Sequence, residues 1–240
     1  MPRLITDFDG PIMDVSERYY QVYLECLAQV RRSRQALMTL SKAEFWALKR
    51  ARVPEKEIGL RSGLNASQSQ TFAQLRADLV HTMPYFEYDT IIPGAVEALE
   101  RLQAAGVDLV VMTMRRVREL NYALNRYDLG RFFAPERRYC LGNDYVKTGD
   151  TKDKPLLMAR AMAELPPASP TWMVGDTEAD MASAQSQNLP AVAVLSGIRD
   201  RDQLIQCDPT HVVRNFASAV ELFLEQEQLI ERLWSPAFKS

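Results

Sequence analysis

The sequence predicts an α/β protein: a doubly wound parallel sheet, interrupted early in the chain by an all-helical insertion. Three observations carry that prediction. Short β-branched apolar runs bounded by turn residues recur along the chain, and they alternate with amphipathic stretches of helix length. Between 15 and 90 the strand-and-turn pattern gives way to helical periodicity alone. A chain of 240 residues with 47% hydrophobic composition suits one large domain or a core with an inserted module. The division expected is a core of 1–14 and 91–240 around an insertion of 15–90.

The first strand runs into Leu4-Ile5-Thr6 and ends in Asp7-Phe8-Asp9-Gly10-Pro11. Residues i and i+2 of a strand project to one face, so Asp7 and Asp9 share a face at its carboxyl end. Two acids so close repel unless a cation or a shared proton lies between them, and Gly10-Pro11 lets the backbone turn away. Read in isolation, the same four residues also describe a strand closing in an ordinary Asp-Gly turn. In the insertion, Ser16 is placed to cap a helix bearing Tyr19, Tyr20, Tyr23, Leu24 and Leu27 on one face. Ser41-Lys42-Ala43-Glu44 has the form of a capping box ahead of Phe45, Trp46 and Leu48, and Asn65 or Ser67 starts a third helix through Phe72, Leu75, Leu79 and Val80.

After the insertion, strands are expected at 107–113, about 139–141, 171–174, 191–195 and 211–213, with a last amphipathic helix over 215–234 packed on the sheet. The first of these delivers Thr113 to its carboxyl end. The third delivers Asp176, with Asp180 about one helical turn further on. Ligands of open α/β sheets bind outside the carboxyl ends of the strands, so these ends converge on one site. Between them, Lys152-Asp153-Lys154-Pro155 puts Pro155 at a first helical position and Lys154 at a helix start, where a cation reaches an anion. Lys147 and Lys152 compete with Lys154 for that part.

Taken in order, these segments resemble the motifs of the haloacid dehalogenase-like (HAD) hydrolase superfamily. Asp7-Phe8-Asp9-Gly10 is similar to its first motif, Thr113 to the second, Lys154 to the third, and Gly175-Asp176-Thr177-Glu178-Ala179-Asp180 to the fourth. Ile92-Pro93-Gly94 through Leu102 and Gly106 resembles the helix that precedes the second motif. Pro11 and Met114 depart from residues frequent at those places. The resemblance implies a Rossmann-like core with a C1-type helical cap, and a Mg²⁺-dependent phosphomonoester hydrolase that works through an aspartyl-phosphate. Asp7 would be the nucleophile and Asp9 the general acid and base. Thr113, Met114 and Lys154 would bind the phosphoryl group, and Asp7, the Asp9 backbone carbonyl, Asp176 and Asp180 would form the metal site. The substrate implied is a small phosphorylated metabolite, such as a phosphoglycolate-like acid, a sugar phosphate or a nucleotide. A phosphomutase-type phosphotransferase and a non-catalytic phospho-ligand binding protein are the alternatives.

Composition narrows the partners. A net charge of −2 with no aromatic-interleaved basic block gives no general attraction to nucleic acid. No apolar run approaches the ~20 residues of a membrane span, and three scattered cysteines without a C-x-x-C suit buried thiols in a reducing cytoplasm. The insertion carries eleven Lys/Arg against eight Asp/Glu, which fits a lid over an anionic substrate and equally an unpatterned solvated surface. Gly59-Leu60-Arg61-Ser62-Gly63 has the composition of a mobile loop that would present Arg61 to substrate, with Lys49, Arg50 and Arg52 as rivals. His81 and His211 stand alone and receive no role.

Overall fold

The computed structural model describes residues 1–234 of the chain; the last six residues of the expected core, 235–240, lie outside the described residues. Six strands form one parallel sheet: β1 (Arg3–Thr6), β4 (Asp108–Arg116), β5 (Arg138–Leu141), β6 (Thr171–Gly175), β7 (Ala191–Val194) and β8 (His211–Val213), in the order β5-β4-β1-β6-β7-β8. The chain builds outward from β1 through β4 and β5, then returns to the other side of β1 with β6. The order therefore reverses at β1, and the crevice at its carboxyl end lies between β4 and β6. A two-residue ribbon, β2 (Met13–Asp14) with β3 (Thr90–Ile91), pairs antiparallel where the chain leaves and rejoins the core.

Both sheet faces are covered, which is why the strands read as continuous apolar runs rather than alternating ones. Along β1, Leu4 belongs to the cluster on one face and Ile5 to that on the other; along β4, Leu109 and Val111 face one way and Val110 and Met112 the other. The first face packs α5 (Ala95–Ala104), α6 (Val117–Arg126) and α10 (Phe216–Trp234) through Leu99, Leu102, Leu120, Phe216 and Phe223. The second packs α7 (Asp150–Glu164) and α8 (Glu178–Gln185) through Leu157, Met158, Ala161 and Met181.

Between β2 and β3 the chain is helical: α1 (Ser16–Val30), α2 (Lys42–Arg50), α3 (Glu55–Arg61), α4 (Ala66–Leu79) and a 3₁₀ segment at Met83–Tyr88. These close on a cluster of their own, with Tyr23, Phe45, Ile58 and Phe72 fully buried. Ser41 and Glu44 form the capping box of α2, and Asn65 with Gln68 forms that of α4. Two expected features differ. Ser16 is the first residue of α1 rather than its cap, and the Asp14 carboxylate accepts from its N–H at 2.8 Å. The segment expected as a loop at Arg61 is instead the last turn of α3, with Gly59 packed closely against Ser69 and Phe72 of α4.

Candidate active site

Asp7 and Asp176 directly follow β1 and β6, whereas Thr113, expected at a strand end, lies within β4, which runs on to Arg116. They line a cavity of about 150 Å³ together with Asp9, Met114, Lys154, Tyr19 and His81. Lys154 lies in the second turn of α7, since that helix begins at Asp150 and Pro155 sits inside it rather than at its first position. The earlier start has a local cause. The Asp153 carboxylate accepts from the N–H groups of Thr148 and Gly149 and from the Thr148 hydroxyl, gathering the chain ahead of the helix.

Lys154 is 1% exposed, and its Nζ lies 2.9 Å from Asp7 Oδ2 and 2.5 Å from Asp180 Oδ1. Asp7 Oδ1 accepts from the Phe8 N–H at 2.7 Å. Asp180 is fully engaged: its Oδ2 accepts from the N–H groups of Asp176 and Thr177 and from the Thr177 hydroxyl, which caps α8. Asp176 Oδ2 accepts from the Ile198 N–H at 2.6 Å. The space around Asp176 admits only backbone. A Cβ on Gly10, where φ is +90°, would meet its Cγ at 2.2 Å, and one on Gly197 would meet Oδ2 at 1.8 Å. The Ser196 hydroxyl donates to the Gly10 carbonyl at 2.6 Å and ties the two glycine segments together.

Carboxylate oxygens of Asp7, Asp176 and Asp180 all fall within 4.8 Å of one another, and all three residues are buried. A single lysine faces them, so the cluster carries uncompensated negative charge. Burial pushes Asp7 up to about 7 despite Lys154, with Asp180 and Asp9 adding repulsion. Burial and the same crowding raise Asp176 well above the usual carboxylate range. Burial works against the Lys154 ammonium, but Asp180 and Asp7 outweigh it and hold the group charged. A divalent cation would relieve this imbalance, and all-oxygen donors suit a hard ion. The residues present fit Mg²⁺.

Asp9 is turned to a different partnership. Its Oδ1 accepts from Arg115 Nε at 2.7 Å and lies 2.6 Å from Arg115 Nη2, while Oδ2 accepts from Arg18 Nη2 at 3.2 Å. Burial raises the Asp9 carboxyl, but Arg115 and Arg18 together hold it below its ordinary value. The Thr113 hydroxyl accepts from the Arg115 N–H at 3.2 Å, which leaves its own proton free to donate.

Arg61 is corrected. It is exposed at the end of α3, pairs with Glu57 one turn earlier and lines no part of the cavity. Lys49, one of its rivals, is bound to Glu55 inside the insertion; the other two, Arg50 and Arg52, meet the Arg199 carbonyl and Glu178 of the core. Lys147, offered as a rival to Lys154, lines the cavity rim. Sequence reasoning missed Arg18, Asp89, Arg115 and His81. Arg115 was within reach, because it stands two residues past Thr113 on the same strand, the spacing already used for Asp7 and Asp9. His81 carries no such signal: it reaches the cavity from beyond α4, where burial, with Arg18 and Lys147 adding to it, depresses its pKa to about 3 and keeps it neutral.

A parallel sheet whose order reverses at a strand followed by a buried Asp, with a lysine and two further aspartates around it, defines a class of α/β proteins with a buried carboxylate site at the switch point. Comparison with known proteins narrows the class to one family. Residues 2–187 match the model of the haloacid dehalogenase-like hydrolases, and the chain belongs to that family. A phosphoglycolate phosphatase of Pseudomonas savastanoi is 27% identical over 153 residues, covering 63% of this chain and 54% of that one. The chain thus spans about half the length of that relative. A probable phosphatase, IndB, of Dickeya dadantii is 27% identical over 226 residues, with 91% and 92% covered. Among solved structures, a putative phosphatase from Clostridium difficile superposes with a TM-score of 0.70 at 16% identity, covering 92% of this chain and 99% of that one. It shares the fold.

Proposed function

We propose that the protein is a Mg²⁺-dependent phosphomonoester hydrolase acting on a small phosphorylated metabolite through an aspartyl-phosphate. The observation that carries this reading is the buried line Asp7–Lys154–Asp180, two carboxylates on one ammonium, with the Asp176 carboxylate beside them at the carboxyl ends of β1 and β6. Its phosphatase relatives support the reaction class. Asp7 and Asp176, with the Asp9 backbone carbonyl, would hold the ion. When bound, Mg²⁺ supplies the positive charge that lets a dianionic phosphoryl group approach an anionic nucleophile.

The chain's own groups do the rest. A carboxylate oxygen of Asp7 bonds to phosphorus as the ester P–O bond breaks, and Asp9 gives its proton to the leaving oxygen. Water then attacks the phosphorus of the aspartyl-phosphate and gives a proton to Asp9 as the bond from the Asp7 oxygen to phosphorus breaks, which releases phosphate and restores both carboxyl groups. Lys154 and the free Thr113 O–H would bind non-bridging oxygens, with Met114 contributing through its backbone. Asp180 holds Lys154 on target. The helical insertion 15–90 would serve as the C1-type cap, since Tyr19 and His81 line the cavity from it. The free cysteines suit a reducing cytoplasm, and no described helix is long and apolar enough to cross a membrane.

The test is phosphate release from a panel of small phosphoesters with and without Mg²⁺. Metal-dependent release is expected from the wild type, and its loss in Asp7→Asn. Phosphate and Mg²⁺ binding without release from any ester would overturn the hydrolase reading.

A further inference from the structure

We infer that the tail of the substrate is a short, uncharged polyol, and that Tyr19 and His81 of the insertion read its hydroxyl groups. The inference rests on the phosphomonoesterase reading and names a substrate class for it. Its basis is a division of labour within one cavity. Asp7, Thr113, Lys154 and Asp176 line it from the core, where the phosphoryl group is handled, and Val15, Tyr19 and His81 line it from the insertion. The Tyr19 ring is held in place, meeting Trp46 edge-on at 5.9 Å and His81 at 6.5 Å. Among the described residues, neither the Tyr19 hydroxyl nor a ring nitrogen of His81 has a hydrogen-bond partner. Burial keeps the phenol protonated and, with Arg18 and Lys147 nearby, keeps the imidazole neutral. Each therefore presents a donor and an acceptor, and an alcohol O–H presents the same pair in return.

Charge points the same way. Among the described residues, the lysines and arginines that line the cavity are Arg115, Lys147, Lys154 and Arg199, and each already faces a carboxylate. Lys154 lies between Asp7 and Asp180, Arg115 between Asp9 and Asp89, and Arg199 donates to both oxygens of Glu178 at 2.7 and 3.1 Å. Lys147 is the least committed, its Asp150 partner lying 3.7 Å away and exposed. A carboxylate on the tail would give up its hydration beside Asp9 and Asp150 with only Lys147 to meet it, whereas a hydroxyl brings no charge to desolvate. Size limits the length of the tail. A cavity of about 150 Å³ holds a molecule such as benzene, and pockets that enclose drug-sized ligands begin at ~300 Å³. Beside a phosphoryl group, a short chain fits and a nucleoside does not.

Esters on one carbon skeleton isolate the tail: glycerol 3-phosphate, 3-phosphoglycerate, in which a carboxylate replaces the terminal CH₂OH, and propyl phosphate, which lacks the hydroxyls. All leave as primary alkoxides, so the chemistry at phosphorus is alike and ratios of kcat/KM report recognition. With Mg²⁺, wild type is expected to favour glycerol 3-phosphate about 100-fold over propyl phosphate and about tenfold or more over 3-phosphoglycerate. Tyr19→Phe and His81→Phe should each cut the preference over propyl phosphate about tenfold, since each removes hydrogen bonds and keeps a ring. Loss of packing alone would slow all the esters together and leave the ratios unchanged. A wild-type preference for 3-phosphoglycerate overturns the inference, and its disappearance in Lys147→Met would assign the tail to an acid. Equal kcat/KM on glycerol 3-phosphate and propyl phosphate, or ratios that hold in both ring variants, overturn it as well. Release from p-nitrophenyl phosphate alone overturns the inference and leaves the hydrolase reading standing. No Mg²⁺-dependent release from any of these esters overturns that reading and the inference with it. If His81→Phe does not fold, Tyr19→Phe, which removes a single oxygen, decides.

Discussion

At the scale of single residues, the site is a balance of charge in which the buried Lys154 ammonium pairs with two of three buried carboxylates. Replacing it with methionine keeps most of the volume and leaves Asp7 and Asp180 facing each other. Removal of one partner from a buried ion pair costs about 3–5 kcal/mol, so Lys154→Met is expected to lower urea stability by that order. It should also lower kcat by about 10²–10³, through loss of charge stabilisation at the phosphoryl oxygens. Recovery of stability by Mg²⁺ without recovery of kcat would separate the two effects, whereas an unchanged kcat would remove Lys154 from the proposed mechanism. That Asp7, Asp9, Thr113, Lys154, Asp176 and Asp180 would converge was legible locally: Asp7, Asp9 and Asp176 from strand ends and i, i+2 spacing, Thr113 from its apolar strand, Asp180 from one helical turn past Asp176, and Lys154 from its place on a helix. The arginines on Asp9 were not. Arg18 and Asp89 meet there only because α1 and the return segment are brought together by tertiary packing, and no local pattern encodes that distance.

At the scale of elements, the insertion has its own core and touches the catalytic cavity through few residues. Tyr23 stacks on Phe45 at 4.7 Å and meets Phe72 edge-on at 6.0 Å, with all three rings buried. Phe72→Ala opens a cavity in that cluster, at a cost of about 3–5 kcal/mol. If 15–90 is a unit with separate stability, that cost falls on it alone. Hydrogen exchange should then show lost protection in α1 to α4 with β1, β4 and β6 unchanged, and turnover should fall because Tyr19 and His81 leave the cavity wall. Equal loss of protection across both parts would show one cooperative unit instead. Three helices of the insertion were legible, α1 from its apolar face, α2 from the capping box at Ser41 and α4 from a start at Asn65 or Ser67, whereas α3 was not, its end at Gly59 to Gly63 reading as a loop. The boundary of α7 was not, because Lys154-Pro155 looks like a helix start. Asp153 reaches back to Thr148 and Gly149, so the first turn forms earlier, and an interior proline is accommodated in the second.

At the scale of the whole molecule, the parallel sheet concentrates carboxylates at one end of the strands, and their ionisation ties folding to metal and pH. In the metal-free protein Asp7 is raised from 3.8 to about 7 and Asp176 is raised as well. An acid whose folded pKa lies above its unfolded value favours the folded state fully below the unfolded pKa. That contribution is lost as pH rises through the folded one. Between about pH 4 and 7, therefore, the metal-free protein gives up stability at this cluster. Mg²⁺ reverses the sign of the argument, because it binds the ionised carboxylates and must displace protons to do so at low pH. At a concentration about 100 times its dissociation constant the ion would stabilise the fold by ~2.7 kcal/mol. For a chain of this size that corresponds to about 5–10 °C in Tm. The shift on adding Mg²⁺ is expected to be of this size at pH 8 and to shrink toward zero at pH 5, and to vanish at both in Asp176→Asn. Comparing each pH with and without the ion cancels titrations elsewhere in the chain. Equal shifts at the two pH values would place the ion away from Asp7 and Asp176, and the proposed metal chemistry would lose its site.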